Sequence, residues 1–233
     1  MEDSKKIFLI DGSAFLYRAF HAIRSLSTST GHPTNATFGF TRILLKLLKD
    51  NTPEYAVVMF DVKGPTFRHK LYDQYKANRP PMPEELAAQI PDIKRIIKAL
   101  NIPIVEKLGF EADDLVGTYS KLAQEQGFEV VMVTGDKDFI QLITEKCTLW
   151  DPMKDTITDV NKIKIDMGIE PRQFIDVLGL AGDTSDNIPG VQGVGPKTAI
   201  KLIAKFGSIE NIYENIDDIE AQTKLYENLL SSK

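Results

Sequence analysis

Three apolar runs that each close on aspartate constrain the fold more than any other feature: KKIFLID (5–11), EYAVVMFD (54–61) and FEVVMVTGDKD (128–138). Near-continuous runs of β-branched, aromatic and aliphatic residues are buried on both faces, and strands of that kind belong in a parallel sheet covered by helices. Between them, Ala36 to Lys49 and Glu84 to Ala99 repeat apolar residues at helical spacing, and Leu115 to Gln126 reads as a helix closing near Gly127. The alternation predicts a doubly wound α/β core over residues 1–181, with a mostly parallel sheet. After about residue 170 the chain turns helical, with a glycine-rich break at 190–195, which sets off a second region over 182–233.

Ligands of open parallel sheets bind outside the carboxyl ends of the strands. Those ends deliver Asp11, Asp61, Asp136 and Asp138; GFEADDL (109–115) adds Glu111, Asp113 and Asp114 at a helix start, and GDTSDN (182–187) adds Asp183 and Asp186. The i, i+3 spacing of the last two puts them on one face if that turn is helical. Each carboxylate alone has a local explanation, as a helix cap or a turn residue. Together they do not, because two unit charges 4 Å apart repel by roughly 4 kcal/mol at an effective dielectric near 20. Only Lys137 lies inside these motifs to offset the repulsion. An all-oxygen donor set without histidine or cysteine selects hard ions, Mg²⁺ or Mn²⁺ over Zn²⁺, and nine acids exceed the needs of one Mg²⁺. Two or more ions are expected, and two-metal sites suit in-line phosphoryl displacement, so the expected reaction is phosphodiester hydrolysis.

Net charge by itself argues against a nucleic-acid partner, since the chain carries 33 acidic and 28 basic residues. Setting the nine clustered acids aside leaves 24 acidic against the same 28 basic, a balance of +4. The basic residues are also concentrated. Residues 63–79 hold Lys63, Arg68, Lys70, Lys76 and Arg79 against Asp73 alone, interleaved with Phe67, Tyr72 and Tyr75. Cations for phosphates alternating with rings for bases suit single-stranded nucleic acid, and segment 62–86 is read as a functional arch.

GVQGVGPKTA (190–199) approaches the nucleotide-binding P-loop, but Pro196 separates Gly195 from Lys197 and no strand leads into it. A helix-hairpin-helix turn fits better: Gly190, Gly193 and Gly195 allow close backbone approach, and the helix that follows presents N–H groups to a phosphate. Lys197, Thr198 and Lys201 are its expected DNA contacts, with Lys205 continuing the lysine stripe. His21, His32 and His69 have no ligand spacing, and Trp150 with Cys147 reads as ordinary packing. One cysteine rules out an internal disulfide and fits a reducing, cytoplasmic setting. Asp11 interrupts the basic-then-apolar N-terminus too early for a signal peptide, and no run reaches membrane-spanning length.

The stretches DGS (11–13), YKANRPPMPEEL (75–86), EADD (111–114), TGDKD (134–138) and GDTSDNIPGVQGVGPKTA (182–199), in that order, resemble the 5′-nuclease domain of bacterial DNA polymerase I and its flap-endonuclease relatives over about residues 5–215. The resemblance implies a PIN-like nuclease sheet with a helical arch and a helix-hairpin-helix element. It implies a 5′→3′ exonuclease and structure-specific 5′-flap endonuclease that acts on DNA with a flap, nick or 5′ end, and on RNA primers, in replication and repair. All nine acids match the family's metal ligands. Tyr75, Lys76 and Arg79 match its arch residues at the scissile region, and Arg18 is a weaker match of the same kind. The family's hairpin, at Gly190 to Gly195, also holds a monovalent ion such as K⁺. Residues 216–233 are expected to fit poorly, which suggests a chain truncated there, either part of a longer polymerase or a short stand-alone monomer. A metal-dependent phosphatase and a non-catalytic DNA-binding module remain as alternatives.

Overall fold

The computed structural model describes residues 5–219 and 223–232, so residues 1–4, 220–222 and 233 of the two expected regions lie outside the described residues. In chain order the elements are β1 (Lys6–Asp11), α1 (Gly12–Ala22), α2 (Asn35–Asn51), β2 (Tyr55–Phe60), α3 (Phe67–Leu71), α4 (Glu84–Ala87), α5 (Ile90–Ala99), β3 (Ile104–Glu106), α6 (Ala112–Glu125), β4 (Glu129–Val133), β5 (Cys147–Asp151), β6 (Thr156–Thr158), α7 (Val160–Met167), α8 (Phe174–Ala181), α9 (Pro196–Phe206), α10 (Ile209–Glu214) and α11 (Lys224–Ser231). Contacts divide them into two units. The first holds the described residues up to 67, with 80–139 and 145–158; the second holds 68–79, 140–144 and the described residues from 159 on.

The first unit is built on one sheet in the order β3-β2-β1-β4-β5-β6, parallel throughout except for the antiparallel β5–β6 pair at the edge. The three runs that close on aspartate form its centre, β1, β2 and β4, with Ile10 registered against Val58 and Val133. Phe8, Ile10, Val58, Phe60 and Val133 pack with Phe15 of α1 and Phe40 and Leu44 of α2 into a continuous buried core. β1 is followed by β2 and β3 on one side and flanked by β4 and β5 on the other. The chain therefore reverses direction across the sheet between β1 and β4, which opens a crevice at their carboxyl ends.

The helix expected over Glu84 to Ala99 is divided into α4 and α5. Pro91 stands in the first turn of α5, where its missing N–H costs nothing. At the joint, fully buried Gln89 spends its side chain on the Glu85 carbonyl, Asn35 Oδ1 and the Thr37 N–H. β3, β5 and β6 were not expected; β3 and β6 have three residues each and keep no fully buried position.

In the second unit, α8 packs directly on α9. The link between them folds so tightly that a Cβ on Gly190 would lie 2.3 Å from the Ala181 carbonyl carbon, and one on Gly182 would lie 2.3 Å from the Gly190 nitrogen. Gly190 is thus required by backbone packing inside the hairpin. Gly193 serves a different purpose, a left-handed turn at φ 76°, and Gly195 caps α9 with open space on its Cα.

Candidate active site

Asp11 sits at the crevice between β1 and β4, as the last residue of β1 and the cap of α1. Its Oδ1 accepts the Ala14 N–H at 2.9 Å and its Oδ2 accepts the Thr134 hydroxyl at 3.1 Å. Thr134 Oγ1 in turn accepts the Asp136 N–H at 3.2 Å, so one hydroxyl links the end of β1 to the loop after β4. Within that loop Asp136 Oδ1 accepts the Asp138 N–H at 2.9 Å, which turns both acids out of the strand.

Asp61, just past β2, accepts the Ala112 N–H, and its own N–H donates to Ser13 Oγ at 2.9 Å. Glu111 and Asp114 form a reciprocal capping box at the start of α6, with the Glu111 N–H donating to Asp114 Oδ2 at 2.9 Å. The local, capping reading therefore holds for Asp11, Asp61, Glu111 and Asp114. It coexists with convergence: burial pushes the Asp11 carboxyl up to about 7, against which the Ala14 N–H and Thr134 hydroxyl pull down, while the charges of Asp61 and Asp113 push it further up. Asp11, Asp61 and Asp113 are thus electrostatic neighbours although 102 positions separate the first from the last. Among the described residues, no three histidine, cysteine or acidic side chains stand in a ready-made ion shell. Asp11, Asp61, Glu111, Asp114 and Asp136 each accept a backbone N–H.

Asp183 and Asp186 lie in the second unit, on a turn closed by the Asp183–Ile188 bridge and not on a helix. Asp183 Oδ1 collects the N–H groups of Ser185 and Asp186 at 2.7 and 3.2 Å, an Asx-type turn. Asp186 faces the arch segment of the same unit. It pairs with Arg79, accepts the Tyr75 hydroxyl at 3.0 Å and has Lys76 Nζ at 3.9 Å. Backbone contacts bind the two stretches further: Lys76 N–H donates to Asp186 O, Arg79 Nε to Ser185 O, Asn78 Nδ2 to Thr184 O and Asn187 Nδ2 to Gln74 O. The repulsion at Asp186 is thus offset by arch cations that lie outside the acidic motifs.

Tyr75 is 4% exposed, so its ring is not an open stacking surface; Phe67 and Tyr72 are the exposed rings of the segment. Lys76 adopts φ 56°, a left-handed conformation that a side chain tolerates poorly, and its Nζ lies 4.8 Å from the Tyr75 ring centre. Arg68 and Lys70 sit on the short helix α3, with Lys70 exposed. On α9, Lys197 and Lys201 are exposed and Thr198 is half-buried, whereas Lys205 reaches the Asp218 carbonyl and the Phe206 ring. His32 pairs with Asp92 at 2.9 Å and Cys147 is a fully buried strand residue, so neither joins the acidic set.

Arg18 has a partner that sequence reading missed. Its guanidinium meets Asp151, the last residue of β5, at 3.0 and 3.1 Å. The available signal was the same one that marked the other strands, an apolar run, CTLW, closing on aspartate.

The family models match the chain along its length: the 5'-3' exonuclease N-terminal resolvase-like domain over residues 6–168 and the 5'-3' exonuclease C-terminal SAM fold over residues 169–233. Residues 216–233, expected to fit poorly, fall inside the second match. A 5'-3' exonuclease of Aquifex aeolicus is 43% identical over 94% of this chain and 75% of its own length. DNA polymerase I of Bacillus subtilis is 45% identical over 98% of this chain, which spans only 26% of that relative. Among solved structures, T5 5'-exonuclease with bound divalent metal ions (zinc) superposes with a TM-score of 0.77 at 23% identity, covering 98% of this chain and 85% of that one. The catalytic core of Rad2 in complex with DNA substrate gives a TM-score of 0.64 at 20% identity, covering 98% and 72%. A mostly parallel sheet with acids along its carboxyl edge, followed by a helical C-terminal domain, defines the class as a nuclease of α/β type. The chain belongs to the 5'-3' exonuclease family. No helix of the described residues is long and apolar enough to cross a membrane.

Proposed function

We propose that this chain is a divalent-metal-dependent 5′→3′ exonuclease and structure-specific 5′-flap endonuclease, acting on DNA with a flap, nick or 5′ end and on RNA primers. The observation that carries the reading is Asp11: a carboxyl raised to about 7 by burial, and further by the charges of Asp61 and Asp113, at the crevice between β1 and β4 is a site that a cation would relieve. The donors are oxygens alone, which fits Mg²⁺, with Mn²⁺ as a substitute. Asp11, Asp61, Glu111, Asp113, Asp114, Asp136, Asp138, Asp183 and Asp186 are the residues that would hold two or more such ions. T5 5'-exonuclease with its divalent ions and Rad2 with its DNA substrate support both partners. Ions of this type activate water and neutralise the leaving oxygen of a phosphodiester.

The rest of the work falls to the chain's own groups. Lys76 and Arg79 present fixed positive charge to the phosphoryl group, and Arg18 adds a planar guanidinium of the kind that grips phosphates. Arg68 and Lys70 track the 5′ strand, beside the exposed rings of Phe67 and Tyr72. The hairpin of Gly190, Gly193 and Gly195, with Lys197, Thr198 and Lys201, grips the duplex backbone without reading sequence, with K⁺ as its monovalent ion. The chain works as a monomer in the reducing cytoplasm, alone or as the N-terminal part of a DNA polymerase I. The test is a 5′-labelled flap duplex and a generic phosphate ester, each with and without Mg²⁺. Flap cleavage that needs Mg²⁺ supports the reading; ester hydrolysis without flap cleavage refutes it in favour of a phosphatase.

A further inference from the structure

We propose that Asp151 is a positioning residue for the nuclease reaction: it fixes the Arg18 guanidinium against Gly135, beside the loop that carries Asp136 and Asp138, so that the cation meets a substrate phosphate already oriented. The inference rests on the function proposed above and adds to it a residue outside the acidic motifs.

The geometry is a forked pair across 133 positions of sequence, Arg18 Nη1 to Asp151 Oδ1 at 3.1 Å and Nη2 to Oδ2 at 3.0 Å. Two parallel N–H···O bonds set the plane of a guanidinium as well as its place. The carboxylate is a firm anchor, because Asp151 is 3% exposed, ends a strand of the sheet and accepts the Met153 N–H on Oδ1 at 3.0 Å. Arg18 is less enclosed, with 28% of its side chain open to solvent. Three of its five N–H donors remain after the fork is made.

Gly135 supplies the second, independent observation. A Cβ at this position would stand 1.7 Å from Arg18 Nη1, 2.5 Å from Cζ and 2.9 Å from Asp151 Oδ2. The backbone of the TGDKD loop therefore rests on the ion pair, and the next residue is Asp136. A pair serving only to hold a half-buried arginine would not need to lie under the one loop that supplies two of the strand-end acids. Arg18 itself leaves α1 two turns after Asp11, so α1, β5 and the loop after β4 meet at this guanidinium.

The experiment compares steady-state and single-turnover cleavage of a 5′-labelled flap duplex in Mg²⁺ by the full chain, Asp151→Asn, Arg18→Gln and the double variant, with thermal midpoints alongside. Asp151→Asn is expected to lower kcat/KM by about tenfold or more, and the double variant to be no worse than Arg18→Gln, because both changes remove one oriented cation. Gly135→Ala displaces the guanidinium without touching either charge; its loss is expected to shrink in the Arg18→Gln background, which decides the matter if Asp151→Asn fails to fold. Asp151→Asn or Gly135→Ala with wild-type cleavage, or losses that simply multiply with that of Arg18→Gln, would overturn the positioning role. A wild-type chain that leaves the flap intact in Mg²⁺ overturns the nuclease reading itself.

Discussion

Asp61 Oδ1 accepts the backbone N–H of Ala112 at 2.6 Å, which ties the end of β2 to the first turn of α6. One carboxylate thus closes a helix start and contributes charge to the acidic site. The two roles separate by substitution. Asp61→Asn keeps an oxygen for the Ala112 N–H, so its thermal midpoint should stay near wild type while Mg²⁺-dependent cleavage is lost. Asp61→Ala should lose cleavage and, in addition, about 1 kcal/mol of stability, the usual cost of a missing cap. Chemical denaturation alongside the flap assay checks both; full cleavage in Asp61→Asn would remove this acid from the site.

The raised carboxyl of Asp11 gives a pH signature. With the folded group at about 7 and its ordinary value at 3.8, the folded chain binds more protons than the unfolded one between those limits. Stability without metal therefore falls as pH rises through that window and levels off above it, by at most about 4 kcal/mol. Chelator-treated protein should melt at lower temperature at about pH 8 than at about pH 5, and Mg²⁺ should raise the midpoint more at the higher pH. Asp11→Asn should flatten the pH response; an unchanged slope in that variant would place the titration elsewhere.

Much of this arrangement is legible in the sequence, and the reason is physical. β1, β2 and β4 are central strands buried on both faces, so each had to be an unbroken apolar run, and the aspartate that follows each run marks the carboxyl end of its strand. β3 and β6 are short edge pieces with little buried surface, and nothing in IVE or TIT distinguishes them from loop. The helix break at Gln89 depends on Asn35 and Thr37, which are 54 and 52 positions away, and the Arg18–Asp151 fork spans 133. The basic neighbours of Tyr75 predict a stacking ring; only the turn at 183–187 shows why it is buried.

Arg79 holds the arch segment to the 183–187 turn through its pair with Asp186 and its bond to Ser185 O. Arg79→Ala should slow single-turnover cleavage by about tenfold or more. It should also speed proteolysis within residues 68–79, since the segment loses its main charged tether. Cleavage slowed with no change in proteolysis would confine Arg79 to substrate contact.

Lys197 is exposed near the start of α9, beyond the hairpin. Lys197→Ala should weaken binding to duplexes of unrelated sequence to the same degree and lower the slope of log K against log salt by about one. Fluorescence anisotropy at several salt concentrations measures it; a loss confined to some sequences would contradict backbone recognition.

Burial pushes the Cys147 thiol up to about 11, with the Ser120 hydroxyl pulling slightly down. Since thiolate is the reactive form, Cys147 should resist thiol-directed reagents in the native protein and react on unfolding. Rapid modification under native conditions would show that β5 opens locally.

On the proposed function, the strand-end acids tolerate one another by sharing bound cations. Titration with Mn²⁺, followed by electron paramagnetic resonance of the free ion, tests it directly on the wild-type chain and on Asp11→Asn/Asp113→Asn. Uptake by the wild type and a clear loss of uptake in the double variant are expected, with both folded. No uptake by the wild type, or equal uptake by the two, would contradict it.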